Sequence, residues 1–212
     1  MASMAGDRLP WDDEVDGTIE IDLASARLAR ELRDSARQVI GLLPASETVP
    51  IHLVAKQVAI AYSRLTRTTV VIADPEARSV AADPAAPTGR ESISSEVGHA
   101  LFSTRRVDPL ILLCAPDQPA PPGAKAELLK LMLRHVDQSA SYGMILVDLV
   151  GFVWPGELAS TLSRLDGVIV VGHSGRTKEP ELVRAARLVP PDLALGVLLA
   201  ESQPAAPTSG RT

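Results

Sequence analysis

The chain has 212 residues, 46% hydrophobic and 22% charged, which suits one globular domain with its own core and excludes a disordered polar chain. A net charge of −5, with no Lys/Arg run longer than the pair Arg105-Arg106, gives no electrostatic basis for nucleic-acid binding. The single cysteine, Cys114, excludes an internal disulfide. No uninterrupted apolar run approaches the roughly 18 residues a membrane-spanning helix needs.

In chain order, residues 1–20 are acidic and polar and are expected to form a flexible arm. They lack the apolar stretch of a secretory signal, so a cytoplasmic protein is expected, with any membrane association borrowed from a partner. Residues 23–35 carry Leu23, Leu28 and Leu32 among arginines at helical spacing. From there short apolar runs alternate with amphipathic segments. The runs are 38–43, 69–73, 110–114, 144–148, 168–171 and 193–199, each apolar at consecutive positions, the mark of strands buried on both faces. Helices are expected at 52–65, 94–102, 124–136, 156–165 and 179–188. With aromatics at only 3%, the core is expected to be aliphatic. Strand alternating with helix predicts a three-layer α/β/α fold with a mostly parallel sheet of about six or more strands. Proline-rich "DPAAPTG" and "APDQPAPPGA" read as connectors. A single domain is expected over 21–200, with 201–212 as a disordered tail.

In sheets of this kind ligands sit beyond the carboxyl ends of the strands, and the loop after the first strand is the usual phosphate site. Glycines there let N–H groups close on oxygens, a lysine neutralises charge and a Ser or Thr holds magnesium. Here the span reads "GLLPASETVPIHLVAKQVA". Over about residues 38–199 the chain resembles the ParA/MinD-type P-loop ATPases, and most of all the cytoplasmic domain of bacterial tyrosine kinases of polysaccharide export. That family's loop has the form P-G-E-G-K-S-T, before a helix opening V-A-x-N-L-A. The helix opening matches "VAKQVA" at Val54–Ala59, which lays the loop on Glu47 to Leu53 without a gap. Thr48 and Pro50 then occupy the glycine places, Ile51 the lysine place, and His52 and Leu53 the Ser/Thr places. The family's strand ending I-D-A-D is similar to "VVIADPEA", which keeps Asp74, while the earlier Asp is missing or replaced by Ala73. Its strand ending I-I-D-x-P-P is similar to "MILVDLVGF", which keeps Asp148 but neither proline. The last strand ends "GVLLAES" without the family's asparagine. The tyrosine-rich tail is missing, with Tyr62 and Tyr142 the only tyrosines.

Pro50 has no N–H to offer a phosphate, Ile51 replaces a cation with an alkyl group, and histidine is a poor magnesium ligand. The resemblance therefore implies a P-loop NTPase fold with a degenerate nucleotide site, and a pseudo-ATPase or pseudokinase with no cofactor and no catalytic residue. Thr48, Pro50, Ile51, His52, Asp74 and Asp148 are expected as relic positions of that site. It also implies a protein partner, membrane-bound or cytoskeletal, and self-association or association with an active relative. Residues 23–35 and the acidic arm are candidate contact surfaces. Two alternatives stay open. One is a working ATPase or kinase using "GHSGRTK" (172–178) or partner residues, plus Asp74 and Asp148, and the other is a small-ligand domain in a more apolar cleft. Ser174 in "VVGHSG" lacks the second glycine and the following histidine of a hydrolase elbow. The four histidines share no ligand spacing, and Cys114 reads as a buried small hydrophobe.

Overall fold

The computed structural model describes residues 23–35, 37–78, 103–107, 109–115, 125–139, 142–152 and 157–201. The arm at 1–20, the helix expected at 94–102, the two proline-rich connectors and the tail from 202 lie outside the described residues. The helices are α1 (Leu23–Asp34), α2 (Ile51–Thr66), α3 (Lys125–Ser139), α4 (Glu157–Leu162) and α5 (Glu179–Ala186). The strands are β1 (Val39–Pro44), β2 (Thr69–Arg78), β3 (Ser103–Val107), β4 (Leu110–Ala115), β5 (Tyr142–Asp148), β6 (Gly167–His173) and β7 (Ala194–Ala200). They form one seven-stranded sheet in the order β3-β4-β2-β5-β1-β6-β7. Every neighbouring pair is parallel except β3 with β4.

The consecutive apolar runs have the expected cause. In β1, Ile40 and Leu42 join the cluster that includes Ala29 and Leu32 of α1 and Ile51, Val54 and Val58 of α2. Leu43 joins the opposite cluster, with Leu129 and Met132 of α3, Leu158 and Leu162 of α4 and Ala185 of α5. The same alternation divides Val70 and Ile72 from Val71 and Ala73, and Ile169 and Val171 from Val168 and Val170. Since successive strand residues point to opposite faces, a strand roofed on both sides must be apolar at every position. The sheet is thus the middle of three layers, with α1 and α2 on one face and α3, α4 and α5 on the other.

Two features depart from the expected elements. Strand β3 was not anticipated: its sequence Ser-Thr-Arg-Arg-Val contains one apolar residue. An antiparallel edge strand needs only one neighbour's hydrogen bonds, so it need not advertise itself by an apolar run. Strand β2 continues past the expected end at 73 through Asp74 and Pro75 to Arg78, with a register shift between Asp74 and Arg78. Helix α2 ends where Arg67 enters the left-handed region at φ 57°, its N–H donating to Ser63 O at 2.7 Å.

Candidate functional site: the carboxyl end of β1, β2 and β5

The expected ligand end of the sheet is built by three central strands. β5 lies between β1 and β2, with Leu42 level with Asp148 and Ala73 level with Val147. That register brings Asp74 and Asp148 to the same end of neighbouring strands, both buried. Asp148 Oδ1 accepts the Val150 N–H at 2.8 Å, which turns the chain out of β5 into the short 3-10 turn Val150–Phe152. Its carboxylate therefore has a structural task at the strand end.

From β1 the chain passes through Ala45, whose N–H donates to Val171 O of β6 at 2.8 Å, into a turn. Ser46 Oγ and Thr48 Oγ1 stand 3.0 Å apart, and Thr48 is exposed. Val49 N–H donates to Ser46 O, Ile51 N–H to Val49 O and Leu53 N–H to Pro50 O, at 3.2, 2.9 and 3.1 Å. Pro50 is the N-cap of α2, has no N–H, and supplies no side-chain cap. Val49 and Ile51 are 5% and 1% exposed and belong to the α1/α2 core. Three N–H groups of the span are thus spent on neighbouring carbonyls, a fourth does not exist, and the side chain at the lysine place is turned into the core. A phosphate held at a helix N-terminus needs converging N–H groups and positive charge. The span as folded is stitched to itself instead.

His52 follows Ile51 and is half-buried. Burial pushes its pKa below the ordinary 6.5, the charge of Asp74 pulls it partly back up, and Lys56 one turn on pushes it down again. The imidazole is therefore neutral near pH 7, and Asp74 is close enough to be felt. Of the six expected positions, the structure gathers His52, Asp74 and Asp148 at one end of the sheet. It buries Ile51 in the α1/α2 core, makes Pro50 the helix entry and leaves Thr48 on the surface. Among the described residues no group of three or more His, Cys, Asp or Glu side chains is arranged to hold a metal ion.

The second loop considered for anions, 172–178, is also occupied by its own chain. Arg176 and Thr177 N–H groups donate to His173 O at 3.1 and 2.9 Å, and Lys178 N–H donates to Glu181 Oε2 at 2.7 Å. A carboxylate from the first turn of α5 already sits where an anion would bind, beside the acidic Glu179. Glu181 was not singled out from the sequence, although its place three residues after the helix entry made it legible as a capping residue. Asp166, whose Oδ2 accepts the N–H groups of Gln38 and Val39 at 2.9 and 2.8 Å, was not, because its partners lie 128 and 127 residues earlier.

Neither a protein-family model nor a curated protein sequence matches the chain. Solved structures do. The kinase domain of Escherichia coli tyrosine kinase ETK superposes with a TM-score of 0.56 at 13% identity, covering 87% of this chain and 76% of that one. The chimerical protein CapA2B2 gives 0.55 at 17% identity, covering 85% and 81%. The BceF tyrosine kinase domain gives 0.53 at 17%, covering 83% and 76%. The fold is that of the bacterial tyrosine kinase domains. At these identities the likeness concerns the fold, so the resemblance read from the sequence holds for the architecture of the sheet and its helices. No helix among the described residues is long and apolar enough to cross a membrane.

Proposed function

We propose that this chain is a catalytically silent domain on a bacterial tyrosine kinase fold, acting as a protein-interaction and regulatory module in the cytoplasm. The observation that carries this reading is the β1–α2 span. Its N–H groups at Val49, Ile51 and Leu53 are spent internally, Pro50 at a glycine place has no N–H, and Ile51 packs into the core where a phosphate loop would hold lysine. Loss of one such contact costs roughly 3 kcal/mol of transition-state stabilisation in comparable sites, and here several are replaced together. Asp148 supports the same reading, since its carboxylate accepts Val150 N–H and so shapes the strand end. The partner is a protein, membrane-bound or cytoskeletal, in a setting such as polysaccharide export or the positioning of cell machinery, and it supplies any membrane recruitment.

The test is thermal unfolding of the full chain with and without millimolar ATP or ADP and magnesium, confirmed by calorimetry, with turnover assayed alongside. A ligand that binds only the native state raises its melting temperature. The expected result is no shift and no hydrolysis, with Asp148→Ala lowering stability by about 1–2 kcal/mol without changing partner binding. A magnesium-dependent shift, or turnover abolished by Asp148→Ala, would overturn the proposal.

A further inference from the structure

Among the described residues, the sheet's β7 end carries exposed apolar surface. Among the described residues β7 pairs only with β6, so its other side is a sheet edge. Its sequence Ala-Leu-Gly-Val-Leu-Leu-Ala has no charge and no proline, the usual guards of an exposed edge. Leu198 and Ala200 are buried in the α1/α2 layer. Val197 and Leu199 point to the α5 side and are 54% and 48% exposed. Helix α5 packs on β6 and stops short of covering them. A Cβ placed at Gly172 would lie 2.9 Å from Leu182 Cδ2 and 3.1 Å from Leu199 Cδ2, so Leu199 sits at the foot of α5, level with Leu182.

We propose that this edge and the outer stripe of α5 form a two-fold interface with a second copy of this chain. Three independent features fit that occupant. The first is hydrogen bonding. Ser174 N–H donates to Ala200 O, so Ala200 turns its carbonyl toward β6, and strand alternation turns the N–H and C=O groups of Val197 and Leu199 outward. The second is register. Gly196 to Ala200 runs in unbroken register with Ile169 to His173, the irregularity lying before Gly196. Antiparallel self-pairing centred on Leu198 sets Val197 opposite Leu199 of the second copy, twice, as hydrogen-bonded pairs with both exposed side chains on one face. The third is charge. Glu179, Val183, Ala186 and Arg187 are all exposed and share one helical stripe, acidic at its start and basic at its end. Since Leu199 lies level with Leu182, a two-fold axis through Leu198, one residue back along β7, falls about level with Val183, one residue on along α5, and an antiparallel copy of α5 then sets Glu179 against Arg187. A surface whose charge order reverses along its length is complementary to itself under two-fold symmetry. With strands about 4.8 Å apart, β6 and its copy lie about 14 Å apart. Two helices leaning inward from them reach the 8–10 Å separation of packed helices and roof Val197 and Leu199.

This deepens the interaction-module reading by naming one partner, but it stands on β7 and α5 and not on the state of the nucleotide site. Sedimentation of the full chain without nucleotide, from low micromolar to several hundred micromolar, therefore tests it separately. A concentration-dependent dimer is expected. Val197→Lys is expected to raise its dissociation constant by a factor of ten or more, roughly the weight of one interface anchor. Glu179→Arg and Arg187→Glu are each expected to weaken it severalfold, and the two together to restore it. Circular dichroism confirms that each variant folds; if Val197→Lys does not, the charge exchange on the surface of α5 decides. A chain that stays monomeric throughout, a dimer indifferent to Val197→Lys, or a charge exchange without rescue overturns the proposal.

Discussion

Ile51 and His52 show how much one register of the chain decides. A helix entered at Ile51 turns that side chain into the core and leaves His52 half-buried beside Asp74. The burial of His52 has a consequence for pH. Its folded-state pKa lies below 6.5, so the unfolded chain takes up a proton first as pH falls. Stability contributed by keeping the ring neutral is complete above pH 6.5 and is lost as pH drops through the lower, folded-state value. The expected outcome is a denaturation midpoint that falls between pH 7.5 and 5, with His52→Gln making the profile flatter. A His52→Gln profile as steep as the parent's would assign the acid sensitivity to other groups. The identities at Thr48, Pro50 and Ile51 were fully legible in the sequence. That the neighbouring N–H groups were already spent was not, because hydrogen bonds such as Ile51 N–H to Val49 O depend on dihedral angles that composition does not specify.

At the scale of elements, α1 and α2 were legible almost to the residue, since long segments with a clear apolar stripe fix their own limits. Helix α1 was a candidate contact surface, yet Ala29 and Leu32 are buried in the core with α2, which leaves its arginine-bearing outer face as the part open to a partner. The end of α2 carries a testable cost. Arg67 is exposed and holds φ 57°, a left-handed conformation that glycine adopts freely and other residues do not. Arg67→Gly is expected to stabilise the protein by about 1 kcal/mol, read as a higher urea midpoint with an unchanged slope. A lower midpoint would mean that the arginine side chain contributes more than its backbone costs. Strand β3 was missed at this scale because Ser-Thr-Arg-Arg-Val carries no buried-strand pattern, and only its antiparallel ladder to β4 identifies it.

For the whole molecule, strand order separates two surfaces. The carboxyl ends of β1, β5 and β2 form the candidate site, while the proposed self-association edge lies beyond β6, at β7. The two share no strand, so dimer formation is expected to be the same with and without ATP and magnesium, as sedimentation in both conditions would report. A nucleotide-dependent dimer would instead point to an interface at the candidate site. The sequence by itself determined the layered α/β/α architecture, because a strand buried on both faces must be apolar at every position and an amphipathic helix must repeat near every 3.6 residues. It also determined that the span between β1 and α2 carries neither glycine nor lysine between Pro44 and Leu53, since a residue is present or not whatever the fold. Only the tertiary structure decided that Asp74 and Asp148 share one end of neighbouring strands, and that among the described residues β7 ends the sheet with Val197 and Leu199 exposed. Those facts depend on strand order and register, which arise from contacts between residues far apart in the chain and leave no local trace in it.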